Sequence, residues 1–155
     1  MRTTPRALVV SVVAVIAFLA QGCDLKRPSG DDGFLRLGGL ARADSIRAAS
    51  PEEAVRLYLL TARRITPFDV RARDVIGRRG AATSGYLLGE LVSSNTDLDK
   101  WACVVALARA DEINDGLVSR DSASMRVLEV AVGKMGEGFF RSNSQELLGR
   151  LRSAR

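Results

Sequence analysis

The sequence predicts an all-α domain of about six helices, and two observations carry that prediction. Helix-start grammar returns four times after residue 49, and apolar residues recur at intervals of three and four along the segments that follow. A third observation agrees with them: no stretch alternates apolar and polar residues as a half-buried strand does.

The first helix is announced by Ser50-Pro51-Glu52-Glu53. Ser50 offers an N-cap oxygen, Pro51 lacks the N–H that a first turn would leave unpaired, and Glu53 completes a capping box. Val55, Tyr58, Leu59 and Ala62 then mark one face. Thr66-Pro67-Phe68-Asp69 repeats the grammar with aspartate for glutamate, and Phe68, Ala72, Val75 and Ile76 mark the face that follows. Leu87, Leu88, Leu91 and Val92 stripe a third helix. Thr96-Asp97-Leu98-Asp99 opens a fourth, with Trp101, Val104, Val105 and Ala108 inward. The fifth, from about Ser124 to Met135, is apolar almost all round and so reads as the central helix. Asn143-Ser144-Gln145-Glu146 starts the last, which carries Leu147, Leu148 and Leu151.

Ahead of this domain the text is different. Residues 24–49 mix Gly, Pro, Asp and Arg with isolated apolar residues, which reads as a flexible tether with a reach on the order of 25 to 30 Å. A short docking strand or helix around Phe34 to Leu40 is the one ordered element it suggests. Before the tether, Arg2 and Arg6 precede Ala7 to Ala20, fourteen residues without a charge. That is the profile of a signal peptide. Fourteen helical residues rise about 21 Å, short of the roughly 30 Å hydrocarbon core.

The end of that run, Leu19-Ala20-Gln21-Gly22-Cys23, resembles the lipobox of bacterial lipoproteins. The resemblance implies cleavage between Gly22 and Cys23 and a covalent lipid on the Cys23 sulfur, the only cofactor-like group expected. One acyl chain binds a membrane only reversibly, so stable anchoring takes two or more. An ordinary secretory signal and an uncleaved anchor are the alternatives. Three segments are therefore expected: a leader at 1–22, the lipidated cysteine and tether at 23–49, and a helical domain at 50–155. Removing the leader would leave 133 residues and lower the net charge from +5 to +3, because Arg2 and Arg6 leave with it. So small a charge points to no nucleic-acid partner.

Three segments of the helical part resemble one another: "FDVRARDVIGRRG" at 68–80, "DKWACVVALARAD" at 99–111 and "SMRVLEVAVGKMG" at 124–136. Ala72, Cys103 and Leu128 share one register position. Val75, Ala106 and Ala131 share a second, and Ile76, Leu107 and Val132 a third. With the glycine corner and Ala-rich helix of residues 75–109, the chain resembles short bacterial HEAT-type helical repeats. That resemblance implies antiparallel helix pairs that stack and offer a binding surface. An irregular helical bundle is the alternative.

Chemistry is sparse. Histidine is absent, which removes the commonest general base and zinc ligand. Cys103 falls at an inward register position and reads as a buried apolar thiol. Gly80 to Gly85 begins like a phosphate loop, but Tyr86-Leu87 stand where Lys and Ser or Thr are needed. Asp111 to Gly116 begins like a calcium loop, but Ile113 sits at a ligand position and Ser122 replaces the closing glutamate. The expectation is a non-enzyme that holds no metal.

Two surface features remain. Arg63, Arg64, Arg71, Arg73, Arg78 and Arg79 place six guanidinium groups in seventeen residues, a candidate surface for acidic headgroups or an acidic protein. The bland reading is a solvated helix flank partly paired with Asp69 and Asp74. Phe139-Phe140, in a glycine-rich turn, is a candidate docking point, with one ring plugging the core as the alternative. The expected function is thus an envelope lipoprotein, held on the non-cytoplasmic side by its lipid, whose helical repeats bind a protein partner. A basic module for anionic lipid surfaces is the alternative. Asp24 directly after the anchor resembles the retention signal of enteric lipoproteins, which implies the periplasmic face of the inner membrane in an organism that follows that rule.

Overall fold

The computed structural model describes residues 30–154, and the described residues are helical with no strand among them. Eight helices follow in order: α1 (Asp31–Leu35), α2 (Gly39–Ala48), α3 (Pro51–Arg64), α4 (Val70–Arg78), α5 (Ala81–Ser93), α6 (Asp97–Ile113), α7 (Ser122–Gly133) and α8 (Phe139–Ser153). The all-α class holds. The lipobox, Gly22, Cys23 and Asp24 lie outside the described residues.

Two of the four expected starts form as read. Ser50 Oγ accepts from the Glu53 amide, and Thr96 Oγ1 from the Asp99 amide, each satisfying a donor that the first turn leaves open. The other two are displaced. At α4 the cap is Asp69, whose carboxylate accepts from the Arg71 and Ala72 amides, so the helix begins at Val70, past Thr66. At α8 the helix begins at Phe139, four residues before Asn143. Asn143 instead accepts from the Trp101 indole at 2.7 Å. Its side chain is committed to tertiary structure rather than to a cap.

The segment 31–48, expected as tether, is instead two helices. Phe34, Ala43 and Ile46 are buried, with α1 against α3 and α2 against both α3 and α4. Long-range polar bonds fasten it. Arg42 donates to Asp69 at 3.0 Å and to the Leu37 carbonyl, while Arg79 Nη1 reaches the Ile46 and Ala49 carbonyls at 2.8 and 2.7 Å. Three scattered apolar residues make no visible stripe, yet each finds a partner when the neighbouring helices supply it.

The helices form two rows. In one row α2, α4, α6 and α8 touch in that order, and in the other α1, α3, α5 and α7 do. All nine residues of the three shared register positions are buried. The rows separate them, however: the segments of 68–80 and 99–111 are α4 and α6, neighbours in one row, whereas 124–136 is α7 in the other.

The central helix is α6, not the apolar α7. It touches α3, α4, α5, α7 and α8, and Ala102, Cys103, Val104, Ala106, Leu107 and Ala110 are wholly buried. Short side chains let several helices approach at once. Tyr58 of α3, fully buried, donates its hydroxyl to the Ala102 carbonyl at 2.8 Å. On α7, Val130 remains 51% exposed.

Two corners depend on close approach. Gly80 has φ +42, and a Cβ there would lie 2.8 Å from the Asn114 amide, which itself donates to the Gly77 carbonyl. The turn after α6 is organised by buried Asp111, whose Oδ1 accepts from the Val118 and Ser119 amides at 2.7 Å each. Of the polar segment 111–122, residues 111–113 end α6, 114–121 form turns without a helix, and Ser122 opens α7.

Candidate functional site

A chain of aromatic rings runs from the core to the surface. Tyr58 meets Phe68 with centroids 6.0 Å apart, and Phe68 meets Trp101 at 5.1 Å, both edge-on. Trp101 then meets Phe140 at 5.5 Å and Phe139 at 6.1 Å. These separations lie in the favourable range for offset and edge-to-face pairs. Exposure rises along the chain from 0% at Tyr58 to 69% at Phe139.

Tyr58 belongs to α3 in one row, and the remaining rings come from the other row. Phe68 sits in the turn before α4, Trp101 on α6, and both phenylalanines open α8. Gly138, at φ +137, makes the entry into α8 that an L side chain rarely adopts. The Gly136 amide donates to Asp97 Oδ2 at 2.9 Å, tying the same turn to the first residues of α6. With the Trp101–Asn143 bond, these contacts hold the outer rings in one place. Phe140 is half-buried and Phe139 exposed, so the pair divides between packing and display.

The arginine run does not form one surface. Arg63 makes a two-pronged pair with Asp99, at 2.7 and 2.9 Å, and Arg73 pairs with Asp74 at 3.1 Å. Arg79 is spent on the α2 carbonyls. Arg64, Arg71 and Arg78 stand exposed and make no ion pair among the described residues. Of the two carboxylates expected to pair with the run, Asp74 does so, shared with Arg109, whereas Asp69 pairs with Arg42.

Asp99, 4% exposed, shows how such a pair is balanced. Burial pushes its carboxyl up, but the Arg63 bonds and charge, with Thr96 and Ser94, outweigh that and hold it below the ordinary range. Arg63 is raised in turn, first by its bond to Asp99. Cys103 is wholly buried, and desolvation pushes its thiol far above the usual range, which makes it a poor nucleophile. No group of three or more metal-ligating side chains occurs among the described residues, and no helix there is long and apolar enough to cross a membrane.

Comparison with protein-family models, with curated proteins and with solved structures finds no match. Phe139 and Phe140 are visible in the sequence as a candidate docking point with one ring in the core as the alternative, and Phe139 is exposed while Phe140 is half-buried. Phe68 and Trp101 read only as inward residues of two helices, and nothing local in their spacing joins them to the pair.

Proposed function

We propose that this chain is a lipid-anchored envelope protein whose helical region docks a protein partner through the aromatic row of Phe68, Trp101, Phe139 and Phe140. The observation that carries the reading is Phe139, an exposed ring at the end of a braced aromatic series. Large aromatics in such positions are enriched at interfaces, because a rigid ring buries much area at little entropic cost. Helices stacked in two rows give that surface a firm base, in keeping with the helical-repeat resemblance. The anchor reading rests on the lipobox resemblance, with Cys23 as the lipid site and the non-cytoplasmic side of the membrane as the location. The lipid-surface alternative loses support, since Arg63, Arg73 and Arg79 are bonded within the fold.

Two measurements test this. Metabolic palmitate labelling with membrane fractionation, on wild type beside Cys23→Ser, should lose label and membrane association together. A photo-crosslinking residue at position 139 in cells should then give a discrete protein adduct in the envelope, and the same residue at exposed Ser122 should give none. Unlabelled protein that stays in the membrane in both forms overturns the anchor. Absence of any adduct at 139 overturns the docking surface.

A further inference from the structure

The second row holds a feature unconnected with the aromatic series, a groove of about 290 Å³ between α5 and α7. Its floor and walls are Leu91, Val92, Val127, Val130 and Ala131, and its rim is Lys100, Arg126 and Lys134. We propose that it binds a single-chain anionic amphiphile of the fatty-acid type, one aliphatic tail with one negatively charged head.

The lining chemistry selects that class. Every side chain along the groove is aliphatic or cationic, so no hydroxyl, amide or carboxylate side chain greets a neutral polar ligand. Val92 is 68% exposed and Val130 51%, leaving apolar surface that a tail would cover. The volume lies just below the ~300–1,000 Å³ range of small-molecule sites, which suits one chain rather than two.

The charges give the ligand a direction. Lys134 caps the C-terminus of α7, two residues before Gly136, whose amide bonds to Asp97. The Lys100 ammonium lies 3.9 Å from that same aspartate. Both lysines therefore stand at one end of the groove. Asp97 offsets one of them, so this end keeps one net positive charge for a head group. Arg126, Val130 and Lys134 follow one another at four-residue steps, placing Arg126 about 12 Å away along the same face of α7. There its aliphatic stem extends the wall while its guanidinium meets water. Neither Arg126 nor Lys134 makes an ion pair among the described residues.

The test is photoaffinity labelling of the full chain in its membranes with dodecanoic acid bearing a diazirine at the tail end. Adducts should map to the groove walls on α5 and α7. Free dodecanoate should displace the probe at about tenfold lower concentration than dodecanol, the difference that one favourable charge contact of ~1.4 kcal/mol makes. Lys134→Glu and, separately, Val130→Asp should each cut labelling about tenfold. Arg64→Glu, an exposed arginine outside the groove, should leave labelling unchanged, and circular dichroism should show every variant as helical as wild type. Adducts scattered over other helices, equal displacement by dodecanol, or full labelling of Lys134→Glu would each overturn the proposal. Displacement by a lysophosphatidylglycerol at lower concentration than by dodecanoate would overturn the free-acid assignment in favour of a lysolipid.

Discussion

Helices α6 and α7 are both rich in alanine and valine, and they do opposite work. Almost every small residue of α6 is wholly buried, and five helices pack around it. On α7, Met125, Leu128, Ala131 and Val132 face inward while Val130 looks out across a basic-rimmed groove. Apolar residues on all sides of a helix suggest a centre, yet here the centre is the helix whose side chains are short. Close approach from several directions needs small volume more than high hydrophobicity. The surplus apolar side of α7 marks a face that no other part of the described chain covers.

The largest effect expected from breaking this comparison is on the α6 side. Leu107→Ala removes a side chain with 0% exposure and should cost about 3 kcal/mol of stability, lost transfer energy plus a cavity. Urea unfolding followed by the fluorescence of Trp101, the only tryptophan, measures it. A cost under about 1 kcal/mol would mean that α6 is not the packed centre.

A middle-sized effect belongs to the first turn of α6. Asp99→Asn breaks the pair with Arg63 and should cost about 2 kcal/mol at neutral pH, as for a buried hydrogen bond between charged groups. Because the folded carboxyl titrates below its ordinary value of 3.8, its contribution is full above that value and fades as pH falls through the lower folded one. The gap between wild type and Asp99→Asn should therefore be constant above about pH 5 and narrow below about pH 4. A gap that widens in acid would reverse the assigned direction.

The smallest effect is expected on α7. Val130→Ser, at a half-exposed position, should change stability by less than about 0.5 kcal/mol in the same urea titration. Together with the loss at Leu107, that near-silence would show that equal hydrophobicity in sequence carries unequal weight in the fold. A loss approaching that of Leu107→Ala would place Val130 in the core after all.

The same contrast explains what was legible. The Ser50 and Thr96 caps were readable because a cap and its amide donor lie within three residues. Asn143 misled for the opposite reason: its partner, Trp101, is forty-two residues away. Phe34, Ala43 and Ile46 gave no stripe, so the first two helices passed for tether until α3 and α4 were there to bury them. Of the arginines, Arg79 looked like free surface, but carbonyls thirty or more residues earlier hold its guanidinium. Lys100, Arg126 and Lys134 rim one groove from two helices, and no window of sequence shows them together.

By itself, then, the sequence determined the helical class, two of the capped starts and the inward register of the repeated segments. These depend on a 3.6-residue period and on hydrogen bonds within a single turn, which neighbouring residues settle among themselves. The tertiary structure alone decided which helix is central, that residues 31–48 join the fold, how the aromatic row assembles and where an apolar face is left bare. Each of those outcomes depends on the volumes and charges of side chains distant in sequence, and only packing brings them within reach of one another.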